Sequence, residues 1–168
     1  MLRPGESGDF AAILAVINAA AQRYRGVIPT DCWHDPYMRA DALASELAAG
    51  VRFTVCEEAG RPVGVMGLQH VREVALIRHA YTLPDAQGRG VGSTLLASLC
   101  ADTATPILIG TWAAASWAIR FYKHRGFSTV SAVTKDALLD RYWQVPVRQR
   151  ETSVVLVDGR WMGRGGAT

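Results

Sequence analysis

The sequence is poor in cysteine. Its three cysteines, Cys32, Cys56 and Cys100, are spread along 168 residues. This spacing builds neither a disulfide framework nor a set of zinc ligands, so we expect no metal site. Cys56 and Cys100 fall in apolar patterns and are interpreted as buried residues. Cys32 lies in a polar loop, where a plain thiol and a nucleophile both remain open interpretations.

An excess of charge of one sign is also missing. The formal net charge is +3, and the arginines are distributed along the chain rather than clustered. Proteins that bind nucleic acid carry a stronger basic patch than this. We therefore expect no nucleic-acid partner.

Long apolar runs are absent as well. No stretch reaches the length of a membrane span, and the first residues lack the pattern of a secretory signal. We therefore expect a cytoplasmic protein without a membrane partner. Apolar residues make up 49% of the chain and charged residues 20%, which is typical of a globular protein. The expected domain spans residues 1–160, and residues 161–168 are expected to form a flexible tail.

Two common nucleotide-binding motifs are missing from the glycine-rich stretch Gln87–Gly92. A dinucleotide-binding turn needs a third glycine at position 95, where this chain has Leu95. A phosphate-binding loop of the Walker type needs Gly-Lys-Ser/Thr, and none follows. These absences argue against NAD and against the Walker class of nucleotide site.

The stretch Gln87–Gly92 nevertheless has the features of an anion site. An extended apolar run, residues 74–83, precedes it, and a helical pattern that includes Val91 and Leu95 follows it. The first N–H groups of a helix have no internal partner, and the helix dipole favours negative charge there. A site for a phosphorylated cofactor and a tight turn without a ligand are the two interpretations.

The remaining pattern predicts alternating helices and strands in one α/β domain. Ser7 or Asp9 is expected to cap the first helix, and Gly50 to end the second. The predicted strands are 1–4, 51–55, 63–68, 74–83, 107–111, 127–133 and 152–157, and the predicted helices begin near residues 10, 37, 91, 116 and 135.

A second motif suggests a family. The segment Ala118–Phe127 contains Ala-x-x-x-Tyr-x-x-x-Gly-Phe, with Tyr122, Gly126 and Phe127 at its defining positions. Together with Gln87-x-x-Gly90-x-Gly92 it resembles the GNAT superfamily of acetyl-coenzyme A-dependent N-acetyltransferases. The resemblance implies a central mixed, mostly antiparallel sheet flanked by helices, with two strands that splay apart to form the acyl-CoA cleft.

The resemblance also implies the cofactor and its contacts. The pyrophosphate of coenzyme A is expected at the turn, against backbone N–H groups and the side chains of Gln87 and Arg89. The pantetheine arm is expected to pair with the end of the preceding strand, and an N–H near Thr82 to polarise the thioester carbonyl. The expected cofactor-binding residues are Tyr81, Thr82, Leu83, Gln87, Gly88, Arg89, Gly90, Val91 and Gly92.

The resemblance implies that Tyr122 protonates the departing thiolate, since a phenol held within hydrogen-bond reach can act as a general acid. The spacing alone is equally compatible with Tyr122 as an aromatic residue of the core. A general base is less clearly marked. His79, on the strand before the turn, fits that role, and a strand histidine without a catalytic role or a water relay are the alternatives.

The acceptor pocket is expected near the loop between the first two helices. Tyr24 and Trp33 lie in or near that loop, and Trp112 follows the fifth predicted strand. Aromatic walls suit an apolar or aromatic amine, whereas the same rings would also pin a loop onto the core. The leading hypothesis is acetylation of a small-molecule primary amine in a ternary complex. The resemblance is also compatible with a homodimer, which the sequence itself does not indicate. The alternatives are acetylation of protein N-termini or lysines, and a catalytically silent acyl-CoA sensor.

Two positions depart from the family pattern. Ala115 replaces an asparagine that many relatives carry, and Ser116 is expected to cap the helix instead. Gly110 stands where some protein-acetylating relatives carry a glutamate. That substitution puts the glutamate base in doubt for this chain.

Overall fold

The computed structural model describes residues 1–166. Within this range the chain forms a seven-stranded mixed sheet flanked by helices, in the order β1-β2-β3-β4-β5-β7-β6. The strands are β1 Leu2–Pro4, β2 Arg52–Glu58, β3 Arg61–Val71, β4 Val74–Thr82, β5 Ile107–Trp112, β6 Ser128–Thr129 and β7 Ser153–Val157. The helices are α1 Phe10–Ala21, α2 Ala40–Ala48, α3 Val91–Ala101, α4 Ser116–Lys123, α5 Ala132–Tyr142, α6 Val147–Glu151 and α7 Gly159–Met162.

Helices cover both faces of the sheet because alternate strand residues carry apolar side chains on opposite sides. Along β4, Ala75 and Ile77 pack with α3 and α4, whereas Val74 and Leu76 pack with α5. Helices α1 and α2 lie over β2 and β3 on the same face as α5. No helix of residues 1–166 has the length and apolarity of a membrane span.

Strands β4 and β5 separate at the middle of the sheet. They pair in parallel from Ala75 with Ile107 to Ile77 with Ile109. Beyond that point β4 continues on β3 as far as Thr82, while β5 continues on β7. The predicted splay near Gly110 is thus confirmed, and within the described chain one edge of β4 lacks a strand partner beyond Ile77.

A bulge bends β4 where the splay begins. Between the pairs Val65–Tyr81 and Gly67–Arg78, Met66 of β3 faces two residues of β4. One of these is His79, whose φ of 51° lies in the left-handed region. A bulge inserts an unpaired residue and increases the local twist, so it re-aims the side chains at this position.

The predicted strand 127–133 is largely wrong. Only Ser128–Thr129 pairs in the sheet, and α5 already begins at Ala132. The Ser131 side chain accepts a hydrogen bond from the Thr134 amide at 3.2 Å and so caps the helix three residues earlier than predicted.

Two capping predictions are also wrong. Ser116 is the first residue of α4, and Ala115 holds the cap position without a side-chain bond. Asp9 precedes α1 without bonding to its amides, and it accepts instead from the Glu6 amide at 2.7 Å and from Arg3. The predicted tail lies partly outside the described residues; Trp161, at its start, belongs to α7 and packs beside Tyr142.

Helix α3 sits unusually close to the sheet. A Cβ placed on Gly64 of β3 would lie 2.4 Å from Val91 Cγ1 and 3.2 Å from Leu95 Cδ1. Val91 is the first residue of α3, and its β-branched side chain has little rotamer freedom in a helix. The absence of a side chain at Gly64 therefore sets the height of the α3 N-terminus above the sheet.

We expect Gly64→Ala to lower the free energy of unfolding by about 1–3 kcal/mol, because overpacking forces Val91 and α3 to move. Urea denaturation measures the change. Gly8→Ala is the matched control, since a Cβ there meets nothing within 4 Å; it should change stability by less than about 0.5 kcal/mol. Equal stabilities for the two variants would contradict the close approach.

Candidate active site

The turn before α3 presents a row of free amides. Gly88 and Gly90 have φ angles of 77° and 82°, conformations that residues with a Cβ rarely adopt. The Thr94 amide is the first to bond within the helix, to the Gly90 carbonyl at 2.9 Å. In the described chain, the amides from Gly88 to Ser93 have no backbone partner. Together with the positive end of the helix dipole, they have the arrangement expected of an anion site.

A cavity of about 520 Å³ extends from this turn between β4 and α4. Its volume lies in the range of sites that hold a cofactor or drug-sized ligand. The structure brings most of the predicted cofactor contacts to its walls: Tyr81, Thr82, Gln87, Gly88, Gly90, Val91 and Gly92. The Gln87 amide group donates to the Thr82 carbonyl at 3.2 Å, which ties the turn to the end of β4.

Two predicted cofactor residues lie elsewhere. Leu83 packs between the core clusters on the two faces of the sheet and does not line the cavity. The Arg89 guanidinium pairs with Glu58 at 2.9 Å, and Arg89 is also outside the cavity lining.

Arg125 supplies a cation that the sequence reasoning missed. It lines the cavity, and its guanidinium donates to the Ser93 hydroxyl in the first turn of α3. The guanidinium carbon also lies 4.0 Å from the centre of the Phe121 ring, one helical turn earlier. The sequence contains one signal for this contact. Arg125 follows Phe121 by four residues on a predicted helix, and residues at this spacing share one face.

Tyr122 lies at the inner wall of the same cavity. Its ring is edge-on to Phe121 and Phe127, with centroid distances of 5.0 and 6.0 Å. Burial, with a smaller contribution from nearby Tyr24, raises the pKa of Tyr122 above its ordinary value. The phenol therefore stays protonated at neutral pH, which is the state that a general acid requires.

A second cavity, of about 130 Å³, lies beside the splay, bordered by Gly110 and Trp112 of β5. It shares Tyr24 and Tyr81 with the larger cavity. Burial raises the pKa of both tyrosines, so their hydroxyls remain neutral hydrogen-bonding groups. The shared residues place the two cavities next to each other.

Aromatic rings form much of the smaller cavity. The Trp112 indole donates to the Tyr37 hydroxyl at 2.9 Å, and both residues line the cavity. Trp143 lines it as well, and a Cβ placed on Gly110 would lie 3.6 Å from the Trp143 ring. Of the predicted acceptor residues, Tyr24 and Trp112 line the cavity, whereas Trp33 stacks behind Tyr37 at 5.9 Å.

His79 also lines the smaller cavity, at the bulge of β4. Its ring stacks on Phe53 with a centroid distance of 6.2 Å. Its Nε2 atom lies 3.2 Å from a carboxylate oxygen of Glu46, a residue of α2 that the sequence reasoning did not single out. The structure therefore brings the two predicted catalytic residues, Tyr122 and His79, to the walls of adjoining cavities.

The residues described to Gly166 include no group of three or more His, Cys, Asp and Glu side chains arranged to hold a metal ion.

Comparison with known proteins agrees with this geometry. Residues 49–129 match the model of the family described as "Acetyltransferase (GNAT) domain". No curated protein matches the sequence.

Several solved structures share the fold. The chain is similar to the PaiA N-acetyltransferase of Thermoplasma acidophilum in complex with coenzyme A, with 14% identity, a TM-score of 0.69, and coverage of 94% of this chain and 97% of the other. It is similar to the ribosomal-protein-S18-alanine N-acetyltransferase of Escherichia coli, with 16% identity, a TM-score of 0.68, and coverage of 94% and 92%.

A third similar structure is the N-acetylglutamate synthase of Neisseria gonorrhoeae complexed with coenzyme A and N-acetyl-glutamate, with 20% identity and a TM-score of 0.63. The match covers 94% of this chain but 34% of the synthase. At these identities the likenesses concern the fold. The family match over residues 49–129, taken with the paired motifs around Gln87 and Tyr122 that lie within it, supports assignment of this protein to the GNAT superfamily of acyltransferases.

Proposed function

We propose that this protein transfers an acetyl group from acetyl-CoA to the primary amine of a small molecule, by direct attack in a ternary complex. The observation that carries the proposal is the larger cavity. A row of free amides and the protonated phenol of Tyr122 lie on the walls of this one cavity. Acetyl-CoA supplies the acetyl group as an activated thioester.

The free amides at the start of α3 are the proposed site of the pyrophosphate. They lie beside Gln87 and face the guanidinium of Arg125, so both dipoles and a full charge favour an anion there. Arg23 is a second cation on the cavity wall, with its guanidinium carbon 4.2 Å from the centre of the Trp117 ring. Arg89 can take part only after it leaves Glu58.

The free edge of β4 is the proposed site of the pantetheine arm. An extended chain that carries amide groups can add to such an edge as an extra strand. This placement would bring the thioester carbonyl close to the end of β4, where a backbone N–H near Thr82 is proposed to stabilise the developing oxyanion.

Tyr122 is the proposed general acid and His79 the proposed general base. Desolvation raises the pKa of Tyr122, and it acts in the same direction on a thiol in the same cavity. The phenolate and the thiolate are therefore both disfavoured, and proton transfer from Tyr122 to the thiolate remains feasible. The attacking amine must lose a proton, and imidazole accepts protons near neutral pH. Relay through water is the alternative route.

The smaller cavity supports a small, aromatic or apolar acceptor. Its volume of about 130 Å³ suits a single ring or a short chain, and Tyr24 and Trp112 are proposed to contact it. Trp33 is proposed to act on the acceptor through Tyr37, on which it stacks. A panel of primary amines, including benzylamine and 2-phenylethylamine, tests the proposal by thiol release from acetyl-CoA.

Two rivals give different results in the same assay. A peptide with an N-terminal alanine should be a poor substrate, and its preference over all the amines would favour a protein acetyltransferase, the kind of enzyme named for the similar Escherichia coli structure. Binding of coenzyme A by calorimetry without thiol release for any acceptor would favour a silent acyl-CoA sensor.

We expect Tyr122→Phe to lower kcat by about 100-fold or more, because a general acid is lost from the transition state. The affinity for acetyl-CoA should be unchanged, since the ring and its packing on Phe121 and Phe127 are kept. Steady-state thiol release and calorimetry measure the two quantities.

Tyr142→Phe is the matched control for this prediction. Tyr142 is equally buried, at 6% exposure, but lies outside both cavities and bonds to Glu73. The turnover of the Tyr142→Phe variant should equal that of the natural protein. A Tyr122→Phe enzyme with full turnover would remove the tyrosine from the chemical step.

We expect Arg125→Ala to weaken the binding of coenzyme A by about fivefold, because one charge-assisted contact at an exposed site contributes about 1 kcal/mol. Calorimetry at two salt concentrations measures the effect, which should shrink as salt rises. Arg39→Ala removes the same charge from an exposed pair with Asp41 and should leave affinity unchanged. Similar affinities for both variants would exclude Arg125 from the phosphate site.

A further inference from the structure

The Glu46 carboxylate lies against the ring of His79. Glu46 Oε2 and His79 Nε2 are 3.2 Å apart, although the two groups are not aligned as a hydrogen bond. Both atoms are buried. Glu46 Oε2 also lies 2.8 Å from an Arg78 guanidinium nitrogen, whereas His79 Nε2 has no hydrogen-bond partner among residues 1–166. A buried polar atom without a partner is costly, so a small rotation that completes this bond is favoured.

The carboxylate itself is held firmly in place. Arg78 donates to Glu46 Oε1 at 2.8 Å, and the other end of the same guanidinium donates to Gln69 at 2.8 Å. Burial alone would raise the pKa of Glu46, but His79 and Arg78 outweigh it, and the pKa lies below its ordinary value. Glu46 is therefore an anion at neutral pH.

The His79 ring is fixed from three directions. Its backbone is held at a φ of 51° by the bulge opposite Met66, and its face stacks on Phe53 at an angle of 28° between planes. Its third neighbour is the Glu46 carboxylate. A residue with a side chain adopts such a φ at an energetic cost, which persists only where the surrounding structure imposes it, and such positions cluster at functional sites.

We propose that Glu46 is a positioning residue for His79: it binds Nε2–H and leaves Nδ1 as the atom that accepts the proton of the attacking amine. The inference rests on the proposed function, in which His79 is the base. As the amine nitrogen bonds to the acetyl carbon, the C=O electron pair moves to oxygen, the amine N–H bond breaks and its proton passes to Nδ1, where the Glu46 anion stabilises the imidazolium. When the carbonyl re-forms, the C–S bond breaks and the departing thiolate takes the proton of Tyr122. The same logic orients histidine in other enzymes that pair it with a carboxylate.

The charge balance around His79 gives the proposal a pH signature. The charged groups that face it are the Glu46 anion from α2 and the Arg78 cation from β4, and the neutral hydroxyls of Tyr24, Tyr37 and Tyr81 line the same cavity. Glu46→Gln removes the anion and leaves the cation. Both consequences disfavour the imidazolium, so His79 should titrate at lower pH in the variant.

Nuclear magnetic resonance measures this titration directly, without any acceptor. The ring signal of His79 is assigned by its loss in His79→Gln, and its midpoint is followed in the natural protein, in Glu46→Gln and in Glu73→Gln. We expect the midpoint to fall by about one pH unit in Glu46→Gln. Glu73→Gln is the matched control, because Glu73 pairs with Arg141 and Tyr142 away from His79, and its midpoint should not move. An unmoved midpoint in Glu46→Gln would overturn the proposal.

Kinetics with an accepted amine provide the second arm. In Glu46→Gln the acidic limb of the kcat/KM profile should move to lower pH and kcat should fall about tenfold, with the affinity for acetyl-CoA unchanged. A purely structural Glu46 would lower stability and leave the pH profile in place, which would overturn the positioning role. If no amine is a substrate, the proposed function and the base role fall together, while the resonance titration still decides whether Glu46 and His79 are coupled.

Discussion

The whole site depends on the parting of two neighbouring strands in the middle of the sheet. Beyond Ile77, β4 keeps its partner β3, while β5 keeps its partner β7, and the two edges separate. An interior sheet edge without a partner normally costs hydrogen bonds, because buried backbone groups need partners. Here that unsatisfied edge is the constraint around which the structure is organised, since the proposed pantetheine arm, which carries amide groups, would restore the missing bonds. Both cavities border the gap.

The two sides of the gap differ in their electrostatic character. The larger cavity carries free amides, Arg23 and Arg125, which suit a polyanion. The smaller cavity is walled by tyrosine and tryptophan rings, which suit a compact apolar group. Tyr24 and Tyr81 belong to both. A reaction between a phosphorylated donor and a small amine needs this kind of division, because each partner is then oriented by its own chemistry at the shared boundary.

Local features were predictable from the sequence and distant ones were not. The turn at Gln87–Gly92 and the helix with Tyr122 are encoded in short segments, so their positions followed from the sequence pattern, whereas their expected contacts followed from the family resemblance of their motifs. The proposed roles of Arg125 and Glu46 depend on contacts with Ser93 and His79, which lie far away in the sequence. The left-handed backbone at His79 is imposed by the bulge rather than by residue type, and no propensity encodes it.

The family match ends within the set of residues that line the smaller cavity. Residues 49–129 span β2 to β6 and so contain the turn, the free edge and α4. Several walls of the smaller cavity lie outside that span: Tyr24, Tyr37, Leu139, Trp143, Val145, Gln149 and Ser153. The matched segment thus carries the free amides and the free edge proposed to face the donor, while the chain on either side of it supplies half of the residues that line the proposed acceptor pocket. A substitution at Trp143 or Gln149 would therefore reshape the smaller cavity without touching the turn at Gln87–Gly92.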